Sequence, residues 1–200
     1  DTHRFSPVHR RRKDATFVIG FSGRLRAEKS VRFLADIERA LIAAGHSDYR
    51  FLICGDGSEA AWLKANLRRA EFPGFLHGQA LSEAYASMDL FVFPSRTDTF
   101  GNVVQEAFAS GVPAVVTNDG GPKFIVRHGH SALIAATGEA FIAHVLRLIQ
   151  DRVLHRSFCE NARLQALSES WDRVFTTVWQ GYRSACAMTI PMQSELRLSF

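Results

Sequence analysis

One stretch of the sequence decides the fold: residues 90–113, which run LFVFPSRTDTFGNVVQEAFASGVP. Its first four residues, Leu90–Phe93, are apolar at consecutive positions, which is typical of a strand covered on both faces of a parallel sheet. Pro94 ends that strand, a polar loop follows, and a largely apolar helix begins near Gly101. A buried strand, a polar loop and a helix in this order indicate one unit of an α/β domain.

The same alternation covers most of the chain on both sides of this stretch. Helical patterns lie over about residues 31–42, 60–70, 82–87, 103–110 and 139–151, and two more follow over 153–166 and 171–187, the last with Ser170 as a candidate N-cap. Repeated strand–helix units with right-handed crossovers predict an α/β, Rossmann-like, doubly wound parallel sheet of about six strands with extra C-terminal helices. The predicted strands are Thr16–Phe21, Phe51–Cys54, Phe75–His77, Leu90–Phe93, Ala114–Thr117 and Ala132–Ile134.

Composition is that of a soluble globular domain, since 46% of the 200 residues are apolar and 22% are charged. We predict one domain over residues 16–187 and a loosely held tail over 188–200. The basic run His9–Lys13 is interpreted as a solvated linker and not as a nucleic-acid contact, because no aromatic residues are interleaved with it. Three widely spaced cysteines without a Cys-x-x-Cys pair favour a reducing, cytoplasmic setting and argue against structural zinc.

Ligands of open parallel sheets bind at the carboxyl ends of the strands, so the loops there are the candidate site. After the first strand come Gly23, which permits a tight turn, and Arg24 and Lys29, whose charges suit phosphate. Gly55-Asp56-Gly57 after the second strand is interpreted as a structural turn. In Asn118–Lys123, two glycines and Pro122 predict a short helix whose N–H groups form an anion cradle, with an ordinary loop as the alternative.

The loop after the fourth strand carries two carboxylates, Asp98 just before the predicted helix and Glu106 about one and a half turns inside it. The N–H groups at the start of this helix form a natural anion site. A carboxylate can accept hydrogen bonds from the vicinal hydroxyls that sugars and ribose supply. The two acids could therefore bind different parts of one extended ligand, although a helix cap for Asp98 and a surface position for Glu106 are the plainer alternatives.

Taken in order, these segments resemble the donor-binding half of glycosyltransferase family 4, the retaining enzymes of GT-B fold. The resemblance rests on Gly23-Arg24-Leu25 with Glu28-Lys29, on Gly55-Asp56-Gly57, and on the run from Tyr85 to Ser95. It continues through Thr99-Phe100-Gly101, Glu106-Ala107, residues 109–113 and Gly120-Gly121-Pro122. It also implies that residues 1–15 are the hinge between the two halves of such an enzyme.

The resemblance implies a role for each site residue. Arg24 and Lys29 would neutralise the diphosphate of a UDP- or GDP-linked sugar donor, and no metal or other cofactor would be required. Glu106 would bind the ribose, Asp98 the donor sugar, and neither would be a nucleophile. Gly23 and the backbone of Phe100, Gly101, Asn102 and Val103 would line the sugar and phosphate positions, and Leu76 and His77 the base.

Two residues depart from the family pattern. Asp98 stands where the family usually has Glu, which leaves the donor sugar open, and Lys123 stands where the family often has an acid or Arg. The resemblance implies that the acceptor domain is absent, so that this chain alone binds and does not turn over. It leaves room for peripheral association of the whole protein with the inner face of the membrane. A non-catalytic nucleotide-sugar-binding module and a sugar-nucleotide epimerase remain as alternatives, whereas the missing G-x-G-x-x-G argues against a dehydrogenase.

Overall fold

The computed structural model describes residues 1–169 and 171–188. Its centre is a six-stranded sheet in the order β3-β2-β1-β4-β5-β6, in which every neighbouring pair is parallel. The strand order reverses between β1 and β4, so the loops that leave these two strands meet at the switch point of the sheet. The strands are β1 Phe17–Ser22, β2 Tyr49–Cys54, β3 Ala70–Gly74, β4 Leu90–Phe93, β5 Ala114–Thr117 and β6 Ala132–Ala135.

Helices connect the strands, as predicted for a Rossmann-like domain. Short 3₁₀ helices at Pro7–His9 and Ala27–Lys29 supplement them. Among the described residues, no helix has the length and apolar composition needed to cross a bilayer. The α-helices are α1 Phe33–Ala43, α2 Ala60–Asn66, α3 Gly78–Ala86, α4 Asn102–Ala109, α5 Pro122–Ile125, α6 Gly138–Gln150, α7 Arg152–Ser168 and α8 Trp171–Met188.

The chain divides into two compact units, Asp1–Leu167 and Ser168–Phe200. The first contains the sheet and the predicted hinge. In the second, α8 presents exposed apolar side chains at helical spacing, among them Val174, Val178 and Tyr182. The predicted N-cap Ser170 and most of the predicted tail, residues 189–200, lie outside the described residues.

The apolar runs of β1 and β4 are buried along their whole length, which confirms that consecutive apolar residues marked strands covered on both faces. Gly20 in β1 shows how closely the layers pack, because a Cβ at this position would clash with the Met88 side chain. Cys54, interpreted from the sequence as a small buried hydrophobe, is buried at the end of β2.

The third strand was placed wrongly by the sequence pattern. We predicted it at Phe75–His77, but β3 is Ala70–Gly74, and Phe75 is exposed beyond its end. β3 lies at the edge of the sheet and alternates between half-buried and exposed residues, and it contains Glu71 and Pro73. An edge strand tolerates proline and charge, so it lacks the apolar run that marks the inner strands. The neighbouring helices shift accordingly, with α2 ending at Asn66 and α3 beginning at Gly78.

Residues 1–15 pack against the sheet domain more than a solvated linker would. Phe5 is buried, with its ring edge-on to Tyr85 at a centroid distance of 5.4 Å. The Arg12 side chain is only 8% exposed and forms an ion pair with Asp89. The interpretation of the basic run as a solvated linker is therefore wrong for Arg12, because the Asp89 carboxylate compensates the burial of its charge.

Candidate functional site

The loops after β1 and β2 are joined by backbone contacts that only glycine permits. Gly55 has φ +138°, and a Cβ there would clash with the carbonyl oxygen of Gly23. The Gly23 N–H in turn donates to the Cys54 carbonyl oxygen at 2.9 Å. Gly57 approaches the Leu25 carbonyl oxygen in the same way. These contacts support the interpretation of Gly55-Asp56-Gly57 as a structural turn, and they fix the loop that carries Arg24.

A second glycine pair supports the loop after β4. The Gly121 N–H donates to the Asp98 carbonyl oxygen at 2.7 Å, and a Cβ on Gly121 would clash with the backbone of Thr99. The predicted short helix at Pro122 is confirmed, whereas the anion cradle at its start stays a prediction. This helix, α5, is a single turn of four residues, and in the loop before it the Gly121 N–H donates to the Asp98 carbonyl oxygen. Lys123 donates to the Asn118 carbonyl oxygen at 2.9 Å.

The central feature of the switch point is an ion pair between Lys29 and Asp98. The Lys29 Nζ lies 2.6 Å from Asp98 Oδ1, and the side chains are 12% and 22% exposed. The other carboxylate oxygen, Asp98 Oδ2, is buried and has no hydrogen-bond partner among the described residues. Buried polar atoms in native proteins are nearly always satisfied by protein, water or ligand. The unpaired oxygen therefore marks a position for a ligand hydroxyl or an ordered water.

The start of α4 follows Asp98 closely along the chain. Gly101 precedes the helix in the left-handed conformation, with φ +92°. The N–H groups of Asn102 and Val103 have no backbone acceptor among the described residues, and the first turn contains no acidic residue. These N–H groups and the positive end of the helix dipole favour an anion here. Phe100 is about half exposed beside them.

Glu106 lies deeper along α4 and is half-buried beside Tyr85. Burial raises the pKa of Glu106 above its usual range, while the Tyr85 hydroxyl and the positive charge of Arg4 oppose that shift. Burial and the Glu106 carboxylate in turn raise the pKa of Tyr85 well above its ordinary value. Sequence reasoning missed Tyr85 and Arg4 as neighbours of this acid. The one available signal was a buried tyrosine on the apolar face of α3; by distance and angle its hydroxyl has no hydrogen-bond partner among the described residues.

The remaining predicted site residues are less closely gathered. The Arg24 side chain is largely exposed, and its nearest carboxylate oxygen, on Glu28, is 4.0 Å away, so the guanidinium is available to a ligand. Leu76 and His77 follow β3 instead of ending it, and His77 is exposed at the start of α3. Two strands, β2 and β1, separate β3 from β4. Of the predicted set, the structure brings Lys29 and Asp98 into direct contact.

Comparison with known proteins decides the family. The sequence profile described as "Glycosyl transferases group 1" matches residues 16–151, which include all six strands, α4 and the Lys29–Asp98 pair. The chain belongs to the glycosyl transferases group 1 family. It is 34% identical over 174 residues to a GDP-mannose-dependent alpha-mannosyltransferase of Corynebacterium glutamicum, which covers 86% of this chain and 41% of the relative. The chain thus spans less than half the length of that relative.

Solved structures confirm the fold of this group 1 chain. A sucrose-phosphate synthase from Thermosynechococcus elongatus superposes with a TM-score of 0.77 at 22% identity, covering 94% of this chain and 51% of that one. The C-terminal domain of a group 1 glycosyl transferase from Francisella tularensis superposes with a TM-score of 0.71 at 18% identity, covering 84% of this chain and 97% of that domain. The predicted resemblance to one half of a GT-B glycosyltransferase is confirmed.

Proposed function

We propose that this chain is the donor-binding half of a retaining glycosyltransferase that moves a sugar from a nucleoside-diphosphate sugar to an acceptor hydroxyl. The acceptor domain would belong to a part of the protein outside these 200 residues. The observation that carries the proposal is the Lys29–Asp98 pair beside the start of α4, with one carboxylate oxygen unpaired. It combines a cation, a helix N-terminus and a hydroxyl acceptor within one loop pair.

The cationic groups suit the diphosphate. The Lys29 ammonium has three N–H donors and gives one to Asp98, so two can reach phosphate oxygens. The exposed guanidinium of Arg24 adds donors at the same carboxyl ends of the strands. The N–H groups of Asn102 and Val103 at the start of α4 add two more. Cleavage of the bond between the sugar and the β-phosphate leaves negative charge on the diphosphate, and preorganised donors stabilise that charge without a metal.

The carboxylates suit the two sugars of the donor. Asp98 Oδ2 would accept a hydrogen bond from a hydroxyl of the transferred sugar, and Glu106 from the ribose hydroxyls. Burial raises the pKa of Glu106, whereas the Tyr85 hydroxyl and Arg4 favour its charged form, in which the carboxylate can accept both hydrogen bonds. Retention would follow from attack on the face that the diphosphate leaves, with the acceptor proton passing to a phosphate oxygen. Neither carboxylate would form a bond to the sugar.

The donor base and sugar follow from similarity alone. The relative from Corynebacterium glutamicum is named as GDP-mannose-dependent. We therefore propose GDP-mannose as the first donor to test and UDP-sugars as the second. Hexosyl transfer would require the acceptor domain, so we expect this chain to bind a donor and to show no transfer.

The test is calorimetric titration of the chain with GDP, UDP and ADP, repeated on Glu106→Ala. One nucleotide should bind in preference, and the variant should lose about 10- to 100-fold in affinity, because hydrogen bonds to a charged group contribute roughly 1.5–3 kcal/mol. Glu139→Ala, which removes an exposed acid from α6, is the matched control and should bind like the parent chain.

A 2′,3′-dideoxy nucleotide locates the contact. If Glu106 binds the ribose hydroxyls, the parent chain should lose affinity for the dideoxy form, whereas Glu106→Ala should bind both forms alike. Failure of all three nucleotides to bind, or an equal dideoxy effect in parent and variant, would contradict the proposed role of Glu106.

A further inference from the structure

A cavity lies at the amino ends of the inner strands, at the opposite end of the sheet from the loops described above. It has a volume of about 490 Å³ and is bounded by residues that precede β4 and β5 and by the first two turns of α7. Three arginines line it: Arg10, Arg152 and Arg156. We call it the basal cavity. Its volume falls in the range of small-molecule sites and exceeds what a bare inorganic ion fills.

The one acidic residue that lines the basal cavity, Asp89, is already saturated. Its Oδ1 accepts from Arg10 Nη2 at 2.8 Å. Its Oδ2 accepts from the Arg12 guanidinium and from the Val18 N–H. The carboxylate is therefore paired with Arg10 and Arg12 of the N-terminal segment, and it forms no ion pair with Arg152 or Arg156.

Two of the α7 arginines line the cavity, Arg152 and Arg156, and neither has a carboxylate partner among the described residues. Arg152 lies over the ring of Phe17, with its guanidinium carbon 5.6 Å from the ring centroid, and Arg156 makes no ion pair with any described residue. Between them in sequence lies the half-buried His155, whose Nε2 is 2.7 Å from the Asp89 carbonyl oxygen, and burial lowers its pKa. The surplus positive charge on this wall thus belongs to Arg152 and Arg156.

An unsatisfied hydroxyl on the facing wall is an independent sign of a ligand. Ser110 lines the cavity at the end of α4 and is only 3% exposed. Its Oγ has no hydrogen-bond partner among the residues that the structure describes. A buried hydroxyl without a partner costs stability unless a ligand or water completes it.

We propose that the basal cavity binds a phosphate-bearing anion, held by the guanidinium groups of Arg152 and Arg156 with a hydrogen bond from the Ser110 hydroxyl. Guanidinium groups pair with phosphate in bidentate geometry. The phosphate could belong to a soluble phosphate ester or to an anionic lipid headgroup, since both present the same chemistry. The basal cavity is separate from the donor loops, so a test of this proposal is independent of the proposed function.

The experiment compares Arg156→Glu with Arg147→Glu. Both reverse one exposed arginine, but Arg147 lies on α6 and does not line the cavity. Inorganic phosphate is titrated into each full chain by calorimetry. In a second arm, each chain is sedimented with phosphatidylcholine vesicles that contain about one third phosphatidylglycerol, and with pure phosphatidylcholine vesicles. Arg152→Ala provides a second lining variant, and a thermal melt of each variant shows that it folds.

Weaker phosphate binding in Arg156→Glu, by at least about tenfold, with Arg147→Glu within about twofold of the parent, supports the site and a soluble ligand. Loss confined to the phosphatidylglycerol arm, again in Arg156→Glu only, supports it with a lipid headgroup as the source. Absence of binding in both arms, or equal weakening by the two variants, overturns it. Nucleoside diphosphate binding should be unchanged in Arg156→Glu in every case.

Discussion

The Lys29–Asp98 pair allows a quantitative test of how the candidate site is built. The mutation Lys29→Met removes the one partner of a carboxylate that is 22% exposed and whose second oxygen is already unpaired. Leaving a buried charged group unsatisfied costs about 1–3 kcal/mol, and a fully buried broken ion pair costs more. Because this pair keeps some solvent contact, we expect a loss of about 2 kcal/mol, which lowers the melting temperature by roughly 4–8 °C for a chain of this size.

The second substitution shows whether the charge on Asp98 causes that loss. Asp98→Asn in the Lys29→Met background removes the orphaned charge, so the double variant should be more stable than Lys29→Met alone, with a coupling energy of about 1 kcal/mol. Lys13→Met, which removes an exposed lysine, is the control and should melt like the parent chain. Thermal unfolding followed by circular dichroism at low salt compares the parent chain with Lys29→Met, Asp98→Asn, the double variant and Lys13→Met. The reasoning is refuted if Lys29→Met melts with the control, or if the two single losses simply add.

Three further predictions concern backbone and protonation. Gly55→Ala places a Cβ against the Gly23 carbonyl oxygen and should lower the free energy of unfolding by at least about 3 kcal/mol. Gly45→Ala is also at positive φ but has open space around it, so it should cost only about 1 kcal/mol. Comparable losses of the two variants in thermal unfolding would contradict this. Ser30→Gly relieves a left-handed backbone at φ 52° and should raise stability by about 0.5–1 kcal/mol, and a lower melting temperature would count against it. Burial raises the pKa of Glu106, so the folded chain holds the Glu106 proton more tightly than the unfolded chain does. The free energy of unfolding should therefore fall as the pH rises from about 4.5 through the pKa of Glu106 in the folded chain. Glu106→Gln does not titrate, so its stability relative to the parent should increase between about pH 4 and about pH 7.5 in urea unfolding, and a gap independent of pH would reject the shift.

Sequence patterns were sufficient for the layer architecture, and they pointed to the loops that form the candidate site. Apolar runs at consecutive positions identified β1, β4 and β5 within a residue of their ends, because strands covered on both faces leave no exposed position for a polar residue. The loop from Pro94 to Gly101 also predicted where α4 begins. Proline, glycine and free N–H groups at a helix start are local requirements, and local requirements are visible in a sequence.

The tertiary structure alone decided which side chains meet. Lys29 and Asp98 are 69 positions apart, and they pair because β1 and β4 are neighbours at the reversal of strand order. The packing of Arg12 onto Asp89 depends likewise on a distant partner. The search for apolar runs did not find β3, because an edge strand is partly solvated and needs no such run. The burial, the partners and the pKa of a side chain depend on groups from other elements. The periodicity of apolar residues in a sequence shows only which face of a single element is buried.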